Sequence, residues 1–138
     1  MLDTRIHSPC DMRTGAWIGF TSFSRTGGRS WRGRVPEIGQ WNINGATIEL
    51  NGERIAPPEW DHPNLHGKGA YEVPHTNEDW WHRPPTRIRI KKGWNHVHLD
   101  VPAPKLDHNK WVATFVPVLG DMFHPREVPG LEYSDSAP

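Results

Sequence analysis

At 138 residues the chain is one domain long, enough to bury a β-sandwich core without help from a metal or a disulfide. Its 16 basic and 16 acidic residues cancel, which argues against the one-signed field that nucleic-acid or anionic-membrane binding relies on and favours an uncharged partner. The single cysteine, Cys10, excludes an intramolecular disulfide and a Cys-rich metal centre.

Aliphatic residues are sparse and Trp is frequent at 8, so much of the core must be aromatic, with each buried indole N–H needing an acceptor. Gly (13) and Pro (14) lie between apolar runs without a repeat period, which means many turns rather than disorder. No apolar run approaches the roughly 18 residues of a transmembrane helix. Residues 1–10 have neither the basic start nor the apolar stretch of a signal peptide, so an exported parent protein must carry its signal elsewhere.

Residues 16–23 alternate, Ile18 and Phe20 on one side and Trp17, Gly19 and Thr21 on the other, the two-residue period of a half-buried strand. Gly27, Gly28 and Gly33, set among four arginines from Arg25 to Arg34, break that period and read as a long surface loop bearing Trp31. Residues 47–55 carry a hairpin signal, with Asn51-Gly52 suited to the positive φ angles of a type I′ turn. Pro57 and Pro58 end it, and residues 60–69, rich in His, Pro, Asn and Gly, read as loop around Trp60. A short strand at residues 70–73 precedes Pro74, and residues 75–85 form a second long loop holding Trp80, Trp81, His82 and Arg83.

Residues 87–90 alternate again and Lys92-Gly93 turns. Beyond it Asn95, Val97, Leu99 and Val101 face one way and Trp94, His96, His98 and Asp100 the other, so a second hairpin is expected. Residues 111–116, β-branched and aromatic, make a strand long enough for the middle of a sheet, closed by Pro117. Residues 131–133 suit an edge strand, and residues 135–138 a frayed tail after an ordered core over 3–134. No segment reads as an amphipathic helix, so the class is all-β, a single sandwich or barrel domain.

Among chemistry-bearing residues, Trp80 and Trp81 with His82 and Arg83 form the best candidate sugar contact, since flat indoles stack on apolar sugar faces while polar neighbours bind hydroxyls. The alternative is that these rings anchor a loop or pack on a neighbouring domain. Trp31 and Trp60 are candidates of the same kind, with a lid over the sandwich as the alternative. Trp41, Trp94 and Trp111 border strands and are expected in the core. His96 and His98 share a strand face as two metal ligands do, but no third ligand is assignable from the sequence, so no metal site and no cofactor are assigned. Ser22, Ser24 and Ser30 lack a nucleophile elbow and Cys10 lacks an activating partner, so no catalytic residues are assigned. The arginine-rich loop from Arg25 to Arg34 fits either a contact with phosphate, sulfate or uronate groups or, as such runs more often are, a solvated or interdomain surface.

Four stretches together carry a family resemblance: Gly39-Gln40-Trp41; residues 48–60 with the Asn51-Gly52-Glu53 turn and Ala56-Pro57-Pro58-Glu59-Trp60; residues 83–95 with Lys91-Lys92-Gly93-Trp94-Asn95; and residues 111–117. With the ending Pro129-Gly130-Leu131-Glu132-Tyr133-Ser134, their order and spacing resemble the C-terminal accessory domain that follows the catalytic barrel in a Bacteroides-type subgroup of glycoside hydrolase family 20, the β-N-acetylhexosaminidases. The resemblance implies a jelly-roll, galactose-binding-like sandwich that packs against and supports the catalytic barrel of the same polypeptide. A carbohydrate-binding module that holds N-acetylhexosamine-bearing glycan through its Trp-rich loops is the alternative.

The resemblance also implies a periplasmic or cell-surface parent enzyme. That family's barrel uses an adjacent Asp-Glu pair, and a (β/α)8 barrel takes about 250 residues, more than this chain holds. The acidic pair Glu78-Asp79 stands in reversed order on a loop, and nothing carries the catalytic role onto it. The chain is therefore expected to be part of a larger enzyme and not an enzyme by itself.

Overall fold

The structure, a computed structural model, describes residues 1–20, 39–42, 44–59, 84–102, 113–121 and 124–135. These residues form nine strands and no helix: β1 (Leu2–Ser8), β2 (Met12–Phe20), β3 (Thr47–Leu50), β4 (Glu53–Arg54), β5 (Thr86–Ile90), β6 (Gly93–Asp100), β7 (Ala113–Leu119), β8 (Arg126–Glu127) and β9 (Glu132–Ser134). Two antiparallel sheets result, one in the order β4-β3-β6-β1-β9 and the other β5-β2-β7-β8. The all-β class and the two-sheet, sandwich-like architecture thus follow from the strand periods read above.

The sheets meet through the inward half of each alternating strand. Ile6, Ile48, Leu50, Val97 and Leu99 from the five-stranded sheet bury against Ala16, Ile18, Phe20, Ile88 and Ile90 from the four-stranded one. Each such aliphatic or aromatic side chain contributes about 1.5–3 kcal/mol relative to an exposed one, so this layer is the main source of stability. Trp41 closes one end, 4% exposed, its ring edge-on to Phe20 at 5.6 Å and its Nε1–H donating to the Ile55 carbonyl at 2.9 Å. The core placement expected of Trp41 holds.

The Asn51-Gly52 turn forms as expected, with φ of 53° and 81°. It is also tied to β6: Asn51 N–H donates to the His96 carbonyl at 2.8 Å, and the Asn51 side-chain oxygen accepts from His96 N–H at 2.9 Å. Asn42, buried, uses its side-chain oxygen to accept from Asn44 N–H and Ala46 N–H, turning the chain into β3.

Several expectations need correction. Residues 87–101 do not form a hairpin: β5 pairs with β2 in one sheet, while β6 pairs with β1 and β3 in the other, so the Lys91–Gly93 turn carries the chain across the sandwich. Alternation looks the same in both cases, because Ile88 and Ile90 face the core from one side and Asn95, Val97 and Leu99 from the other. Trp94 is not in the core; it is 41% exposed on the outer face, on the side its alternation with Asn95 dictates.

Pro117 does not close its strand, since β7 runs on to Leu119. Among the described residues β8 pairs with β7 only from Val118 onward, so on that side Pro117 has no ladder to interrupt. β7 is a central strand as expected, between β2 and β8. β9 is the expected edge strand, one residue later than its apolar pattern implied. Residues 70–73, Trp111 and the Arg25–Arg34 loop lie outside the described residues.

Candidate functional site

All six sugar-contact candidates, Trp31, Trp60, Trp80, Trp81, His82 and Arg83, lie outside the described residues. The described surface offers two other places where chemistry-bearing side chains gather.

The first is an open groove of about 420 Å³ at the junction of the two sheets. β8 leads through buried Val128 and the Pro129-Gly130 turn into β9 of the opposite sheet, which brings Tyr133 beside the outer face of β7. Trp17 and Val116, cross-strand partners in register, join Phe115 and Tyr133 as apolar walls, with Arg126 and Glu127 as a charged lip. Val116 is 45% and Tyr133 57% exposed, so two sizeable apolar side chains stand open to solvent together. Burial of the phenol, and then the nearby Glu127 carboxylate, push the Tyr133 pKa up, because both disfavour the phenolate.

The second is a polar cluster on the outer face of the five-stranded sheet. β1 and β6 pair so that Asp3 stands opposite His98 and Arg5 opposite His96. One Asp3 carboxylate oxygen meets both imidazoles, His96 Nε2 and His98 Nδ1 each at 2.8 Å. The hydrogen bond from His98 leads in holding the Asp3 carboxyl below its usual range, desolvation works against it, and the His96 hydrogen bond adds to the lowering.

Asp3 is the group the sequence could not assign beside His96 and His98. It is 93 residues from His96 in the chain and arrives only through strand pairing. The three meet through hydrogen bonds centred on one oxygen, and among the described residues no three His, Cys, Asp or Glu groups are arranged to hold a metal ion. In the row beyond, exposed Trp94 stands opposite His7, ring centroids 5.2 Å apart and edge-on.

No protein-family profile, curated protein or solved structure matches this chain. No helix among the described residues is long and apolar enough to cross a membrane.

Proposed function

We propose that this chain is a non-catalytic accessory domain of a larger β-N-acetylhexosaminidase-like glycoside hydrolase, a jelly-roll, galactose-binding-like sandwich that packs against the catalytic barrel and supports it. The single observation that carries this reading is the groove. Half-exposed Val116 and Tyr133 beside Trp17 and Phe115, rimmed by Arg126 and Glu127, have the apolar centre and charged rim of a surface that another domain covers. The four sequence stretches with their family 20 resemblance supply the partner's identity, and the periplasm or cell surface as the place where such an enzyme works.

Sedimentation of this chain with the separately produced catalytic barrel tests the reading. A stable complex is expected, lost in Val116→Asp and Tyr133→Ser while the variants keep the wild-type melting temperature. Wild-type chain and barrel that sediment independently would refute it.

A second reading, a carbohydrate-binding module, has one observation in its favour: Trp17 and Tyr133 rings flank a groove with an arginine and a glutamate at its lip, the mixture that stacks and hydrogen-bonds a sugar. Saturable NMR shifts of the Trp17 indole with N-acetylglucosamine or chitobiose would replace the first reading with this one. An indole signal unmoved at millimolar sugar would remove it.

A further inference from the structure

The outer face of the four-stranded sheet carries an arrangement that folding alone disfavours. Thr86, Ile88 and Ile90 of β5 point into the core, so Arg87 and Arg89 point out; Thr14 and Ala16 of β2 are likewise buried, so Arg13 points out. The register sets Arg13 directly opposite Arg89, and Arg87 opposite Gly15 on the neighbouring pair. Directly opposed residues lie about 5 Å apart at Cα, and like charges so placed destabilise a sheet.

None of the three arginines has an ion pair or side-chain hydrogen bond to another described residue. The acid nearest in sequence, Asp11, uses its carboxylate to accept from Lys92 N–H at 2.7 Å. Beside the arginine pair the surface turns apolar. Pro85 packs over Gly15, its Cβ 2.8 Å from where a side-chain carbon at Gly15 would stand, and Trp17 follows on the same face of β2.

We propose that Arg13, Arg87 and Arg89 bind the sulfate ester of a sulfated sugar, whose ring lies against Pro85 beside them, clear of the groove that the barrel covers. Guanidinium forks present paired N–H donors that match a tetrahedral oxyanion, and two forks about 5 Å apart at their Cα atoms converge on one such group. A bound oxyanion also turns the Arg13–Arg89 repulsion into shared attraction, which accounts for the pair. Balanced charge over the whole chain disfavours a long nucleic-acid polyanion. The oxyanion part stands on the sheet register alone; the sugar part rests on the glycoside hydrolase reading above.

The test follows the arginine Nε–H signals of the full chain by NMR during titration with N-acetylglucosamine 6-sulfate, N-acetylglucosamine and inorganic sulfate. Saturable shifts at Arg13 and Arg89 are expected with the sulfated sugar, weaker ones with inorganic sulfate and none with the unsulfated sugar. Arg13→Gln and Arg89→Gln should each weaken binding about tenfold, the loss of one charge-assisted contact, while melting no lower than wild type because the repulsion is relieved. If inorganic sulfate moves the same arginines as strongly as the sulfated sugar, the oxyanion site stands and the sugar part falls, while the accessory-domain reading is decided separately by sedimentation with the barrel. If no probe moves the arginines, or if both variants bind normally, the proposal is overturned.

Discussion

Asn95 offers the sharpest test of how this sandwich is held together. It sits 1% exposed on β6 among core residues, yet all its polar capacity is used. Its side-chain oxygen accepts from Lys91 N–H at 2.9 Å and from Asn51 Nδ2 at 2.8 Å, and its Nδ2 donates to the carbonyls of Lys91 (2.8 Å), Gly93 (3.1 Å) and, more weakly, Ile6 (3.3 Å). One amide thus joins the crossing turn between β5 and β6, the β3–β4 turn and strand β1.

Asn95→Ala removes about four good hydrogen bonds at about 1 kcal/mol each and strands buried donors and acceptors, for an expected loss of about 4 kcal/mol. A domain of this size has about 5–15 kcal/mol in total, so the variant should be marginal. Urea unfolding followed by tryptophan fluorescence should show the midpoint fall by roughly 2 M at an m-value near 2 kcal/mol/M, with m unchanged. Asn95→Asp should be at least as damaging, because a carboxylate oxygen would replace the donor that faces three carbonyls. A loss below about 1 kcal/mol in Asn95→Ala would refute the claim that this network holds the sheets in place.

Gly15→Ala should lower stability by about 1–3 kcal/mol, read as a melting-temperature drop, because its Cβ would stand 2.8 Å from Pro85 Cβ in a packed contact; an unchanged temperature would mean that Pro85 yields freely. Gly120→Ala should cost more than Gly15→Ala in the same assay, since φ is +86° there and the new carbon would overlap the His124 carbonyl oxygen.

For Asp3 the sign follows from its lowered folded pKa. Its contribution is present above the unfolded carboxylate value, about 3.9, and is lost as pH falls below that through the folded value. Asp3→Asn should therefore flatten the fall in melting temperature between pH 5 and 2, measured against wild type by calorimetry. Parallel profiles would show that the two histidines give Asp3 no folding-dependent stabilisation.

The all-β class, the Asn51-Gly52 turn, and the inward and outward faces of β2, β5 and β6 were legible in the residues, because all are local. They depend on a two-residue period and on which residues accept positive φ. Strand β1 was not, since Ile6 is its one buried apolar side chain and a single position shows no period. Nor was the partner of each strand: Ile88 to Leu99 alternates identically whether the chain folds back on itself or crosses to the opposite sheet, and only packing of the two layers selects the crossing. The same holds for the sites. Asp3 beside His96 and His98, and Arg13 opposite Arg89, unite residues far apart in the chain through strand register, while Tyr133 reaches Trp17 only because the two sheets pack together; no local pattern encodes either.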